Sequence, residues 1–327
     1  MARKLPDQTD NQVRTILLVT TLLNLVSPLF MAWSIFPGFA GTFRLTGALG
    51  LLVFVSLHGW HRYGWTPMLV FFGLSFGITW STETLSIATG FPFGHYAYTD
   101  LLGDKLGQVP LMIMPAYFFV GYLAWTMGGM LLDETGNPLP RDTRKTISWL
   151  KTGDNVWRKK RNIVLVPLVA SALMVFWNAS FDPIMSTIEG NWIWRDGGAY
   201  FGVPLSNFFG WFITVYLIFQ SFALYLAIFS RTNSKAAGLA VSPAGSQDNT
   251  TWMLMPLMYI GQGLPYFLYA FFQKEHENWQ IYRSMSAVTV ATMFLAAAIC
   301  LVVYGARRKS RQMKLDAPNP GESQALA

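Results

Sequence analysis

The chain has 327 residues, of which 52% are hydrophobic, 16% aromatic and only 13% charged, with a formal net charge of +7. Soluble domains carry about 25% charged residues, so this composition excludes an ordinary soluble enzyme. The positive charge is no argument for nucleic acid, because basic residues in a membrane protein collect on cytoplasmic loops and set orientation.

Apolar runs of about 20 residues, long enough to cross a bilayer core, recur along the chain. They predict an all-α polytopic membrane protein of about eight spans: Thr15–Trp33, Thr42–Trp60, Pro67–Thr89, Pro110–Leu132, Ile163–Ser180, Asn207–Phe229, Trp252–Phe272 and Ser284–Tyr304. The first follows Arg3, Lys4 and Arg14, as a signal peptide would. It runs too long for one and lacks a clear small-residue cleavage site, so it reads as a retained anchor. Gly73-x-x-x-Gly77 in the third reads as a helix-packing face.

With the N-terminus in the cytoplasm, most of the 24 lysines and arginines fall on inner segments, among them the run Arg158-Lys159-Lys160-Arg161. Arg44, Lys105, Arg195, Lys274 and Arg283 fall outside. That asymmetry predicts both termini on the cytoplasmic side, and the basic run predicts contact with anionic lipid. Residues 1–314 form one helical membrane domain with its core at 42–304. The polar tail 315–327 and the loop Arg231–Thr251 carry no apolar pattern, and the tail is expected to be disordered.

Two stretches stand out. Glu83–Pro110 reads ETLSIATGFPFGHYAYTDLLGDKLGQVP, and Asp182–Asn207 reads DPIMSTIEGNWIWRDGGAYFGVPLSN. Each has a carboxylate, then glycines and aromatics, then a Gly-x-(x)-Pro entry into the next apolar run. The predicted topology puts both on the outer face, where they would form a paired site on two parallel helix–loop–helix units.

Glu83 is the one acidic residue well inside an expected span, and an ionisable group there is a functional candidate. A carboxylic acid kept protonated at that depth is what a general acid requires. Asp182 precedes Pro183, and Asp-Pro commonly starts a turn; its match to Glu83 makes it the candidate base. Asp100 and Asp196, in the outer loops, are reserves for that role. Phe93, Tyr96, Tyr98, Trp192, Trp194, Tyr200 and Asn207 are candidate substrate contacts. Such rings serve equally as an interfacial belt or as a cage for a cation.

Only four histidines are present, and His58-x-x-His61 alone cannot supply the ligand shell of a di-iron oxygenase. The single Cys300 leaves no internal disulfide and no cysteine metal cluster. No phosphate loop or dinucleotide fingerprint occurs. No metal and no cofactor are expected.

The segments TETLSIATGFPFGHYAYTDLLG with the following VPL, and later FDPIM, W-x-W and GGAYFGVPLSNFFGW, resemble the bacterial and archaeal carotenoid 1,2-hydratase family. Its members include γ-carotene 1'-hydratase and bisanhydrobacterioruberin hydratase, within a wider group of integral-membrane carotenoid biosynthesis proteins. The resemblance spans the second to the eighth apolar run. It implies cofactor-free addition of water to the terminal ψ-end C1=C2 double bond of an acyclic or monocyclic carotenoid, giving a tertiary alcohol. It also implies a carotenoid substrate, membrane lipid around the protein, other carotenoid biosynthesis enzymes as partners, and a prokaryotic cytoplasmic membrane. No residue roles carry over from it. Two other readings stay open: a non-catalytic isoprenoid-binding protein, and a carotenoid cyclase or isomerase that passes through the same cation but loses a proton.

Overall fold

The computed structural model describes residues 8–32, 40–132, 151–232 and 249–316. Most of the chain is helical: α1 (Gln8–Ala32), α2 (Ala40–Tyr63), α3 (Trp65–Thr89), α4 (Ile113–Leu131), α5 (Lys151–Asp182), α6 (Leu205–Thr232), α7 (Asn249–Phe272), α8 (Trp279–Thr289) and α9 (Leu295–Asp316). A π-helical segment, Pro183–Ile188, extends α5, and another, Val290–Phe294, joins α8 to α9. A continuous helical rod therefore stands at each of the eight expected positions. Four stretches, Asn11–Phe30, Arg161–Ile188, Leu205–Ile228 and Trp279–Lys309, are long and apolar enough to cross a membrane by themselves. The other four rods do not reach that mark on their own composition; α3 carries Ser75, Thr79, Glu83 and Ser86 on its buried face. Most of the loop Asp133–Asn162, the loop after α6 and nearly all of the tail lie outside the described residues, as do Arg3 and Lys4.

α4 is the central helix. Nearly every residue from Tyr117 to Met130 is buried, and α4 packs against α3, α5, α7 and α9. A side chain at Gly128 would press on the Val166 carbonyl and Ala170, so glycine sets the close approach of α4 to α5. α5 pairs with α6, and α1 packs between α2 and α7. The outer faces stay apolar, with Leu22, Leu69, Phe209 and Val302 all exposed, as lipid contact requires.

Two prolines inside α5 and its extension are compensated by side chains. Pro167 cannot donate to Ile163, and Gln220 Nε2 donates to that carbonyl at 3.2 Å. Pro183 cannot donate to Ala179, and the Tyr200 hydroxyl donates there at 3.0 Å. Hence Asp182-Pro183 is no turn, contrary to the sequence expectation. The helix runs through it with a widened π turn, and such bulges occur often at functional sites. Gly73 and Gly77 also depart from expectation: both are exposed, and a side-chain carbon at either would meet nothing within 4 Å. They pack against no neighbouring helix among the described residues.

The connections after α3 and after the π segment carry the short strands β1 (Tyr96–Tyr98) and β4 (Trp192–Trp194), with β2 (Lys105–Leu106) and β3 (Val109–Pro110) forming a small hairpin between them. β1 and β4 pair antiparallel, with Tyr96 opposite Trp194 and Tyr98 opposite Trp192. Each carboxylate-bearing helix ends at a glycine of positive φ, Gly90 at 79° and Gly190 at 67°. A Gly-x-Val-Pro or Gly-Val-Pro entry follows each strand, and Val109 and Val203 are both fully buried. The two stretches read as a pair in the sequence thus form equivalent halves of one ribbon.

Candidate active site

The site begins on the buried face of α3. Glu83 is 3% exposed. One turn on, Ser86 fixes the chain that follows: its Oγ accepts from the Phe93 N–H and donates to the Gly94 carbonyl, both at 3.1 Å. From the other side Ser206 Oγ donates to the Phe93 carbonyl at 2.9 Å. A side chain at Gly210 would strike Phe93 and the Pro92 carbonyl, so α6 lies directly against this turn. The clamp aims β1 back over Glu83.

Three phenols converge on Glu83. Tyr96 and Tyr98 donate to Oε2, the latter at 2.9 Å, and Tyr117 of α4 donates to Oε1 at 3.1 Å. Burial and then the Glu83 charge push the Tyr96 and Tyr98 hydroxyls well above their ordinary range, so both stay protonated.

Asp182, 1% exposed, sits where α5 passes into the π segment. Among the described residues, the hydrogen-bond partners of its carboxylate are all N–H groups. Trp192 Nε1 donates to Oδ1 at 3.1 Å; Asn178 Nδ2 donates to Oδ2 at 3.1 Å, and Asn207 Nδ2 donates to the same oxygen. Asn207 also donates to Asn178 Oδ1 at 3.1 Å.

Both carboxylates line one cavity of about 190 Å³. Phe93, Tyr96, Tyr98, Trp192, Trp194 and Asn207, all nominated from the sequence, line it as well. Tyr117 stacks on Trp211 at 4.3 Å and Trp177 on Phe181 at the same distance, which closes the inner wall with rings. Trp177 and Trp194 carry buried indole N–H groups that take no partner among the described residues. The cavity is thus apolar and aromatic, with two polar poles, Glu83 and Asp182.

The remaining nominated residues lie elsewhere. Asp100 is fully exposed and paired with Lys105 at 2.8 Å; that ammonium, through its hydrogen bond and its charge, holds the Asp100 carboxyl below the usual range. Asp196 is 73% exposed and bonded to His95. Tyr200 is half-buried against Phe201 and Phe208, outside the cavity wall, and burial with the nearby Asp182 charge pushes its hydroxyl up to about 12. His58 is buried beside Phe54 and bonded to Tyr122 at 2.7 Å, outside the cavity lining.

Sequence reasoning did not nominate Tyr117, Asn178, Trp177, Phe181, Trp211 or Tyr266. Asn178 carried a usable signal, since it is a polar residue inside an apolar run, one helical turn before Asp182. The aromatic residues carried none, because each sits among many similar rings in an apolar helix.

No curated protein sequence and no solved structure matches this chain. One family model does, over residues 43–274, a range that contains both carboxylates and the whole ribbon. The chain belongs to the carotenoid biosynthesis protein family.

Proposed function

We propose that this protein is a carotenoid hydratase, adding water to the terminal ψ-end double bond of an acyclic or monocyclic carotenoid. The observation that carries the reading is the chemical difference between the two carboxylate environments. Every hydrogen-bond partner of Glu83 among the described residues is a phenol, and a phenol can accept as well as donate. That setting accommodates a protonated glutamic acid. Every such partner of Asp182 is an N–H group, which only donates. That setting suits a carboxylate. One cavity therefore offers an acid and a base, which is the division of labour that acid-catalysed hydration needs.

The reaction balances without a cofactor. Glu83 delivers its proton to the CH carbon of the terminal alkene, the π bond breaks, and a tertiary cation forms on the dimethyl carbon. Ring faces of Trp192, Trp194 and Tyr98 stabilise that cation, by up to about 2 kcal/mol each where water is excluded. A water held against Asp182 attacks the cation and yields its proton to Asp182 as the C–O bond forms. The proton then returns from Asp182 to Glu83 through the cavity. No net proton is consumed and no redox change occurs.

The eight rods and the distribution of basic residues support an eight-span protein with both termini on the cytoplasmic side, and the resemblance supports a prokaryotic cytoplasmic membrane. The experiment is expression in cells that make lycopene or γ-carotene, with chromatography and mass spectrometry of the pigments. A tertiary alcohol one water heavier than the starting carotene is the expected product. Recovery of unchanged pigment bound to the protein would favour a carrier; an isomer of equal mass would favour a cyclase.

A further inference from the structure

The cavity is small for its substrate. Sites that enclose a whole ligand run to about 300–1,000 Å³, whereas this one measures about 190 Å³. A carotenoid is a rod about as long as the hydrocarbon core is thick, roughly 30 Å. Only an end group fits inside, so the shaft must leave through the wall.

One residue marks where. Met112 is the most exposed residue of the cavity lining, at 56%. Leu102 lines the cavity beside it, and the flanking Leu101 and Leu111 are exposed at 69% and 46%. These leucines come from two segments joined by the β2–β3 hairpin. The hairpin is anchored: the Leu111 N–H donates to the Asp104 carbonyl at 2.8 Å, and Lys105 Nζ donates to the Tyr98 carbonyl at 3.2 Å. The charged residues Asp100, Asp104 and Lys105, in and just before the hairpin, mark the watery side of the opening, so the apolar rim marks the lipid side. Met112, the residue that caps α4, and Ala116 and Phe119 within it recur at helical spacing and stay at least partly exposed, while Tyr117, Phe118 and Val120 are buried. Ala116 also lines the cavity, so its small side chain leaves the exit path open one turn below the mouth.

We propose that the polyene enters sideways from the bilayer through a mouth formed by Met112 and Leu102. Its end group lies beside Glu83 and its shaft runs past Met112 along the Ala116–Phe119 face of α4. Met112 is then a specificity-determining residue, an adaptable side chain that closes on the shaft. This rests on the reading of the cavity as a site for a polyene end.

The test uses the full chain purified in detergent from polyene-making cells, with visible absorbance per mole of protein as the measure of bound polyene. Met112→Trp is expected to lower retention about tenfold or more by overfilling the mouth, while Met112→Leu keeps most of it. Leu205→Trp, an exposed site outside the cavity lining, is expected to retain polyene as wild type does. Equal retention by Met112→Trp and wild type, an equal loss in Leu205→Trp, or no polyene on the wild-type protein would each overturn the mouth. Pigment products are analysed in parallel. Retention that depends on Met112 with no hydrated product contradicts the hydratase reading and leaves the mouth standing.

Discussion

Tyr98 and Trp192 face each other across the β1–β4 ribbon, and each holds a different carboxylate. The Tyr98 hydroxyl donates to Glu83 at 2.9 Å, and Trp192 Nε1 donates to Asp182 at 3.1 Å. Their rings meet edge to face at 5.9 Å between centroids. One cross-strand pair thus fixes the spacing of the two polar poles of the cavity, although the strands come from different helical hairpins.

That geometry predicts coupling. Trp192→Phe removes a donor to Asp182 and keeps a ring, and Tyr98→Phe removes a donor to Glu83 and keeps a ring. Each single change should slow hydration. The double change should differ from the product of the singles by about 0.5–3 kcal/mol in apparent activation free energy, as for residues in direct contact. Strict additivity of the rates would mean that the ribbon does not link the two poles.

Glu83→Gln preserves size and leaves the three phenols with a partner, but removes the transferable proton. Turnover should fall about 10²–10⁴-fold, the usual contribution of a general acid, while bound polyene is retained. Pigment analysis and absorbance of the purified protein separate the two effects. Near-normal turnover would take the acid role away from Glu83.

Tyr200 should matter for stability and not for chemistry. Tyr200→Phe leaves the Ala179 carbonyl without its donor, at a cost of about 1–3 kcal/mol, with turnover per folded protein unchanged. In a Pro183→Ala background the restored N–H can reach that carbonyl, so the same substitution should cost less. Thermal unfolding in detergent of the four proteins checks this; equal costs in both backgrounds would contradict the assignment.

Alkaline pH should destabilise the β1–β4 ribbon. Tyr96 and Tyr98 have raised proton affinity in the folded protein, so above about pH 10, the ordinary phenol value, the unfolded chain loses protons that the folded one keeps. Stability contributed by these groups is full below that pH and declines above it. Tyr96→Phe and Tyr98→Phe should each flatten the decline, read as melting temperature between about pH 9 and 11.

How much of this was legible in the sequence follows from range. Glu83 stood out because an ionisable group in an apolar run is costly, and Asp182 because the two stretches share an order of parts. The pairing of β1 with β4 was not legible, since three-residue strands have no periodicity to read and their partners lie far apart in the chain. Asp182-Pro183 misled for a physical reason: the lost N–H signals a break, but the tyrosine that replaces it comes from a later loop. Gly73 and Gly77 misled in the opposite sense, because spacing alone cannot tell a packed helix face from an open one. Asp100 and Asp196 rank in the sequence as reserves behind Asp182, because a loop position alone does not settle burial; the fold exposes both and encloses Asp182.

The most direct measurement is the origin of the new oxygen. Purified protein is incubated with its carotene in ¹⁸O-labelled water under ordinary oxygen, and the product is analysed by mass spectrometry. Hydration places the label in the tertiary hydroxyl of essentially every product molecule. An unlabelled alcohol, or an oxygen-free isomer as the only product, would contradict it.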